Sequence, residues 1–129
     1  MRVLLDECVN QRLRNYLPGN ECESAEYAGF AGLKNGELLG AAESAHFDVL
    51  LTVDRGLEYE QNLAGRRIAI IIFRSKSIAL QDLLPHVPAC LAVLLSIKPG
   101  EIAKIPGALA HSLEQRRYTV TVMFDLVTP

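Results

Sequence analysis

Four acidic side chains occupy positions at which carboxylates can act together in catalysis. Asp6 and Glu7 come directly after one short apolar run, and Asp54 comes directly after another. Glu37 falls in the first turn of a segment with helical spacing. Carboxylate oxygens are the ligands that Mg²⁺ and Mn²⁺ prefer, and such a cation lowers the pKa of a bound water and stabilises charge on a phosphoryl oxygen. These four residues therefore indicate a Mg²⁺ or Mn²⁺ site suited to metal-assisted hydrolysis of a phosphodiester.

The two apolar runs have the pattern of strands that are buried on both faces. Val3–Leu5 is wholly apolar, and four of the five residues in Val49–Val53 are apolar, without alternation. The carboxyl ends of parallel strands meet at one edge of a sheet, where ligands bind at the point at which the strand order reverses. We therefore expect Asp6 and Asp54 to lie together, and Asp48, at the other end of its strand, to lie away from them.

The same acids also have a structural interpretation. Acidic residues after a strand or in the first turn of a helix often cap free amides or complement the helix dipole, and Glu37 taken alone fits this role better. Asp6 and Asp54 each end a buried strand, which favours a functional role for that pair. Arg55 and Arg74 also follow predicted strands, where a guanidinium can grip a phosphate or neutralise neighbouring acids.

Strand-like and helix-like segments alternate over the first hundred residues, which predicts an α/β fold with a central, mainly parallel sheet. In chain order the other predicted elements are a helix over 9–17, a weak edge strand within 20–27, a helix with Asn35 as its N-cap, a short helical piece around Tyr59 and Leu63, a strand over 68–73 and a helical stretch over 77–97 that Pro85 and Pro88 interrupt.

The last third of the chain has a different character. Residues 98–100 end the helical pattern, 102–105 indicate a short strand, and apolar residues alternate cleanly over 118–126. We predict one domain over 1–97 and an extension over 98–129. The antiparallel strand of this extension would pack on an edge of the same domain or on a second subunit.

Composition limits the class of protein. With 129 residues, half of them apolar, the chain is long enough for one domain with a substantial core and too short for two. A net charge of -2 gives no global attraction to nucleic acid, so a polyanion would have to meet a local patch or a bound metal. The three cysteines and three histidines lack ligand spacing, and no apolar run has the length of a membrane span. We expect reduced thiols, ordinary histidines and a cytoplasmic protein that does not enter the membrane.

Four stretches of the sequence share their pattern with one protein family. They are MRVLLDECVN at 1–10, GLKNGELL at 32–39, DVLLTVDRGL at 48–57 and DLLPHVP at 82–88. In these stretches the chain resembles small bacterial PIN-like proteins akin to VapC-type toxins. The resemblance covers about residues 1 to 97.

The resemblance implies both a fold and an activity. PIN-like domains are three-layer α/β sandwiches on a central parallel sheet, and their typical activity is metal-dependent cleavage of RNA. The family pattern matches its first-strand acid to Asp6, its helix-start acid to Glu37 and its third-strand acid to Asp54, with Glu7 as a possible fourth metal ligand. It also implies a Mg²⁺ or Mn²⁺ cofactor, a toxin role checked by a cognate antitoxin, and a homodimer.

The chain departs from the family pattern at three places. Relatives often carry an acid where this chain has Asn35 and another where it has Gly56, and its predicted fourth strand ends in Arg74 instead of a carboxylate. These departures leave open a second interpretation, in which the chain is a catalytically inactive PIN-like interaction module.

A receiver-like phosphoacceptor domain is a third interpretation. Such domains join an acidic pair after strand one, an aspartate after strand three, a hydroxyl after strand four and a Lys-Pro after strand five. The matching residues here are Asp6-Glu7, Asp54, Ser75 and Lys98-Pro99. However, the Met-Pro that usually follows the phosphoacceptor is missing after Asp54, and Lys98 follows a predicted helix instead of a strand.

Overall fold

The computed structural model describes residues 1–53, 63 and 65–106 of the chain. Its strands are β1 (Arg2–Leu5), β2 (Glu21–Ser24), β3 (Val49–Val53), β4 (Ala69–Phe73) and β5 (Ile102–Ile105). Its α-helices are α1 (Asn35–Ser44), α2 (Leu80–Leu83) and α3 (Val87–Leu94), and two 3₁₀ helices span Gln11–Tyr16 and Leu84–His86. The predicted α/β class is confirmed.

All five strands join one parallel sheet in the order β2-β1-β3-β4-β5. The chain passes from β1 to β2 on one side and then returns to β3 on the other, so the strand order reverses between β1 and β3. The register of these two strands pairs Leu5 with Leu51. The next residues along the two strands, Asp6 and Thr52, are therefore neighbours. The predicted edge position of the second strand is confirmed, because β2 is the outermost strand on its side.

Helices cover both faces of the sheet. Leu5, Leu51 and Phe73 belong to a buried cluster with residues of the first 3₁₀ helix, α2 and α3. Leu4 and Leu50, which point to the other face, belong to a second cluster with α1. Every residue of β3 and β4 is buried, which explains their nearly continuous apolar sequences. The sheet is thus the middle of three layers.

Local sequence explains where the helices begin and end. The side chain of Asn10 accepts a hydrogen bond from the backbone N–H two residues later and so caps the first 3₁₀ helix. Helix α1 has Lys34 at its N-cap, so the prediction of Asn35 as the N-cap was wrong by one residue. The helical stretch over 77–97 is interrupted as predicted, by the 3₁₀ turn that contains Pro85.

The end of the described chain adds a strand to the sheet. The short strand predicted at 102–105 is confirmed as β5, which runs parallel to β4. The predicted antiparallel strand over 118–126, the helical piece around Tyr59, and the residues Asp54 and Arg55 lie outside the described ranges and stay predictions. No helix in the part of the chain that the structure describes is long and apolar enough to cross a membrane.

Candidate functional site at the carboxyl edge of the sheet

Asp6 stands where the strand order reverses. Its backbone N–H donates to the carbonyl oxygen of Leu51 at 2.9 Å, so the hydrogen-bonding pattern of β1 and β3 continues through it. Its own carbonyl oxygen accepts the N–H of Val9 at 2.9 Å, in the turn that leads away from the sheet. Asp6 is partly exposed at the carboxyl edge, which is where parallel α/β sheets bind ligands.

Two neutral donors orient the Asp6 carboxylate. The hydroxyl of Thr52 donates to Oδ2 at 2.7 Å, and the backbone N–H of Glu7 donates to Oδ1 at 2.8 Å. No lysine or arginine among the described residues forms a salt bridge with this carboxylate. A carboxylate has about four lone-pair positions, so these two bonds leave acceptor capacity on both oxygens.

Sequence reasoning missed Thr52. This residue is 1% exposed and is the polar member of β3. Its hydroxyl also lies 3.4 Å from the carbonyl oxygen of Val53 and 3.8 Å from the Sγ of Cys8. The available signal was a hydroxyl within an apolar strand, two residues before Asp54. Threonine is common in strands, so its identity alone did not indicate a role.

The other predicted acids of the described chain are more exposed. Glu7 is exposed, and its Oε2 accepts the backbone N–H of Gly32 at a long 3.4 Å, which links the tip of β1 to the segment between β2 and α1. Glu37 is exposed in the first turn of α1, the position of an acid that complements a helix N-terminus. Both therefore differ from Asp6, whose carboxylate is fixed by two short hydrogen bonds.

The described residues bring together only part of the predicted ligand set. Asp6 and Glu7 share the tip of β1, whereas Asp54 and Arg55 fall outside the described ranges. Within residues 1–53, 63 and 65–106, no group of three or more His, Cys, Asp or Glu side chains is placed to hold a metal ion. Among the predicted ligands in these ranges, the Asp6 carboxylate is the one that short hydrogen bonds hold in a fixed orientation.

Arg74 lies at the same edge, at the end of β4 and two strands from β1. Its backbone N–H donates to the carbonyl oxygen of Ile105 at 2.7 Å, and its Nη1 donates to that of Pro106 at 3.3 Å. The guanidinium belongs to an exposed residue. Arg74 thus lies at the same edge as Asp6, with part of its hydrogen-bonding capacity used at the end of β5.

The described members of the receiver-like set, Ser75 and Lys98, do not lie together with Asp6. Ser75 does follow β4, but its hydroxyl donates to the carbonyl oxygen of Ser77 at 2.6 Å. Lys98 precedes β5, and the nearby Gly100 N–H donates to the carbonyl oxygen of Ile68, just before β4. Lys98 therefore lies towards the amino edge, opposite Asp6, and cannot play the part of a lysine that follows strand five.

The cysteines and His86 behave as structural residues. All three cysteines are free, as predicted. Burial raises the pKa of the Cys90 thiol to about 12 and also raises that of Cys22. The ring of His86 packs edge-on against Phe73 with 5.8 Å between centroids, and burial lowers its pKa. Cys22 and Cys90 therefore lack the lowered thiol pKa of a reactive cysteine, and His86 belongs to no metal-binding group among the described residues.

Asp48 lies at the opposite edge from Asp6, as predicted. Its Oδ2 accepts the backbone N–H of Arg2 at 2.8 Å, at the amino edge of the sheet. The oriented Asp6 carboxylate at the reversal of strand order is thus the feature from which a function has to be inferred. No family model, curated protein or solved structure matches the chain.

Proposed function

We propose that this chain is a Mg²⁺- or Mn²⁺-dependent endoribonuclease whose metal site is centred on Asp6. The observation that carries the proposal is an oriented carboxylate at the strand-order reversal, bonded to neutral donors and not paired with a cation among the described residues. Such a carboxylate is fixed in direction while its charge stays available to a cation from solution. Its location is the one at which ligands bind in open α/β sheets.

The donor chemistry at Asp6 fits a hard divalent cation. Mg²⁺ and Mn²⁺ take oxygen ligands and often keep several waters, so they are bound through one or two carboxylates together with substrate phosphates. The carboxylate keeps lone pairs on both oxygens after it accepts from Thr52 and Glu7. A cation bound here would also let an acidic chain attract a polyanion.

The proposed ligands are the carboxylates of Asp6, Glu37 and Asp54, which match the acids of the family pattern, and that of Glu7 as a fourth. When bound, the ion supplies activation of water and stabilisation of charge on the phosphoryl oxygen. Asp6 contributes a fixed oxygen donor at the end of β1. Arg55 and Arg74 are the proposed contacts to the RNA backbone, because guanidinium groups pair well with phosphate oxygens.

The cellular role follows the same resemblance. We propose a cytoplasmic toxin that cleaves RNA, with a cognate antitoxin as its protein partner and a second copy of the chain as a dimer partner. The alternating segment over 118–126 supports association, because one face of such a strand is apolar.

Cleavage of a mixed RNA pool tests the proposal. We expect the wild-type chain to cut RNA with Mn²⁺ or Mg²⁺ and to stop when EDTA is added. Asp6→Asn and Asp54→Asn should each lower the rate by roughly 100-fold or more, since each removes a ligand and not merely a neighbour of a ligand. Glu21→Gln is the matched control, because it removes one charge from a side chain that is 78% exposed at the amino edge.

A double variant, Asp6→Asn with Asp54→Asn, that cuts RNA at the wild-type rate would exclude the proposed site. A wild-type chain that neither cuts RNA nor binds Mn²⁺ would favour the inactive interaction module. The departures at Asn35 and Gly56 make that outcome a meaningful alternative.

A further inference from the structure

We draw no further inference here: the strongest candidate, the apolar groove that Met1, Leu91 and Leu95 line at the amino edge of the sheet, carries no proposal, because nothing in the described part of the chain shows what covers it.

Discussion

The two edges of the sheet hold their acidic side chains in different ways. At the amino edge, Glu43 of α1 forms an ion pair with Arg66 at 2.7 Å and also accepts the backbone N–H of Arg67 at 2.7 Å. Asp48 accepts the backbone N–H of Arg2 at 2.8 Å. Glu43 thus links α1 to the residues just before β4, and Asp48, just before β3, is bonded to β1. Both carboxylates stabilise the fold.

At the carboxyl edge, Asp6 meets only neutral donors among the described residues. The Thr52 hydroxyl and the Glu7 N–H fix its direction without neutralising it. Burial of an acid and availability of its charge are therefore separate properties. Glu43 contributes to the fold because the Arg66 guanidinium lies beside it, whereas Asp6 has no such cation beside it among the described residues.

Removal of the Glu43 charge should have the largest effect on stability. The Glu43 side chain is 15% exposed, and Glu43→Gln leaves the Arg66 guanidinium beside a neutral amide. We expect a loss of about 2 kcal/mol in the free energy of unfolding, measured by urea denaturation. Glu21→Gln, which disturbs only the exposed pair with Arg2, should cost less than about 0.5 kcal/mol. An equal loss of unfolding free energy in both variants would mean that the Glu43–Arg66 pair stabilises the fold no more than the exposed Arg2–Glu21 pair does.

Low pH should weaken the contact between Glu43 and Arg66, because it protonates the Glu43 carboxylate. Burial tends to raise the pKa of Glu43, but the Arg67 N–H and the Arg66 guanidinium outweigh it and hold the pKa below the ordinary value of 4.5. The unfolded chain therefore takes up this proton at a higher pH than the folded chain does. The stabilisation is present above pH 4.5 and is lost as the pH falls through the lower folded value.

Glu43→Gln should accordingly flatten the acid limb of the stability curve, measured as the urea midpoint at a series of pH values. An acid limb as steep as that of the wild type would mean that other carboxyls dominate acid unfolding.

Removal of the Asp6 charge should matter much less for stability. In Asp6→Asn the Thr52 hydroxyl can still donate to an amide oxygen, and Asp6 is partly exposed to water. We expect the free energy of unfolding to change by less than about 1 kcal/mol, in either direction. A loss as large as that of Glu43→Gln would indicate that Asp6 has a structural role and would weaken the case for a ligand.

The smallest predicted effect concerns His86, which packs against the last residue of β4. Burial lowers the pKa of His86 below 6.5, so the folded state disfavours the charged ring. Its contribution to stability is present above pH 6.5 and declines as the pH falls through the folded value. A slight decline of the thermal midpoint between about pH 7 and pH 5.5 should disappear in His86→Gln. Persistence of the decline in that variant would assign it to another group.

Sequence reasoning located the central strands because a strand buried on both faces has to be apolar throughout. That condition identified β1, β3 and β4 directly. Strand β2 has the polar sequence ECES and was only weakly indicated, because its pairing with β1 outweighs its own propensity. The first helix proved to be a 3₁₀ helix, a distinction that apolar spacing does not reveal.

The sequence predicted those site residues that directly follow a buried strand. The position of Asp6 followed from a buried strand and the edge rule for parallel sheets. The role of Thr52 did not, because it depends on the register between β1 and β3, which brings two residues 46 positions apart into contact. The exposure of Glu37 depends on the rotation of α1 about its axis, which an N-terminal acid does not determine.

Calorimetric titration of Mn²⁺ into the wild-type chain, Asp6→Asn and Asp48→Asn will show directly whether Asp6 is a metal ligand. The two variants make the same chemical change at opposite edges of the sheet. We expect the wild type and Asp48→Asn to bind Mn²⁺ with similar affinity and Asp6→Asn not to bind it. Equal binding by Asp6→Asn and the wild type, or no binding by the wild type, would contradict this expectation.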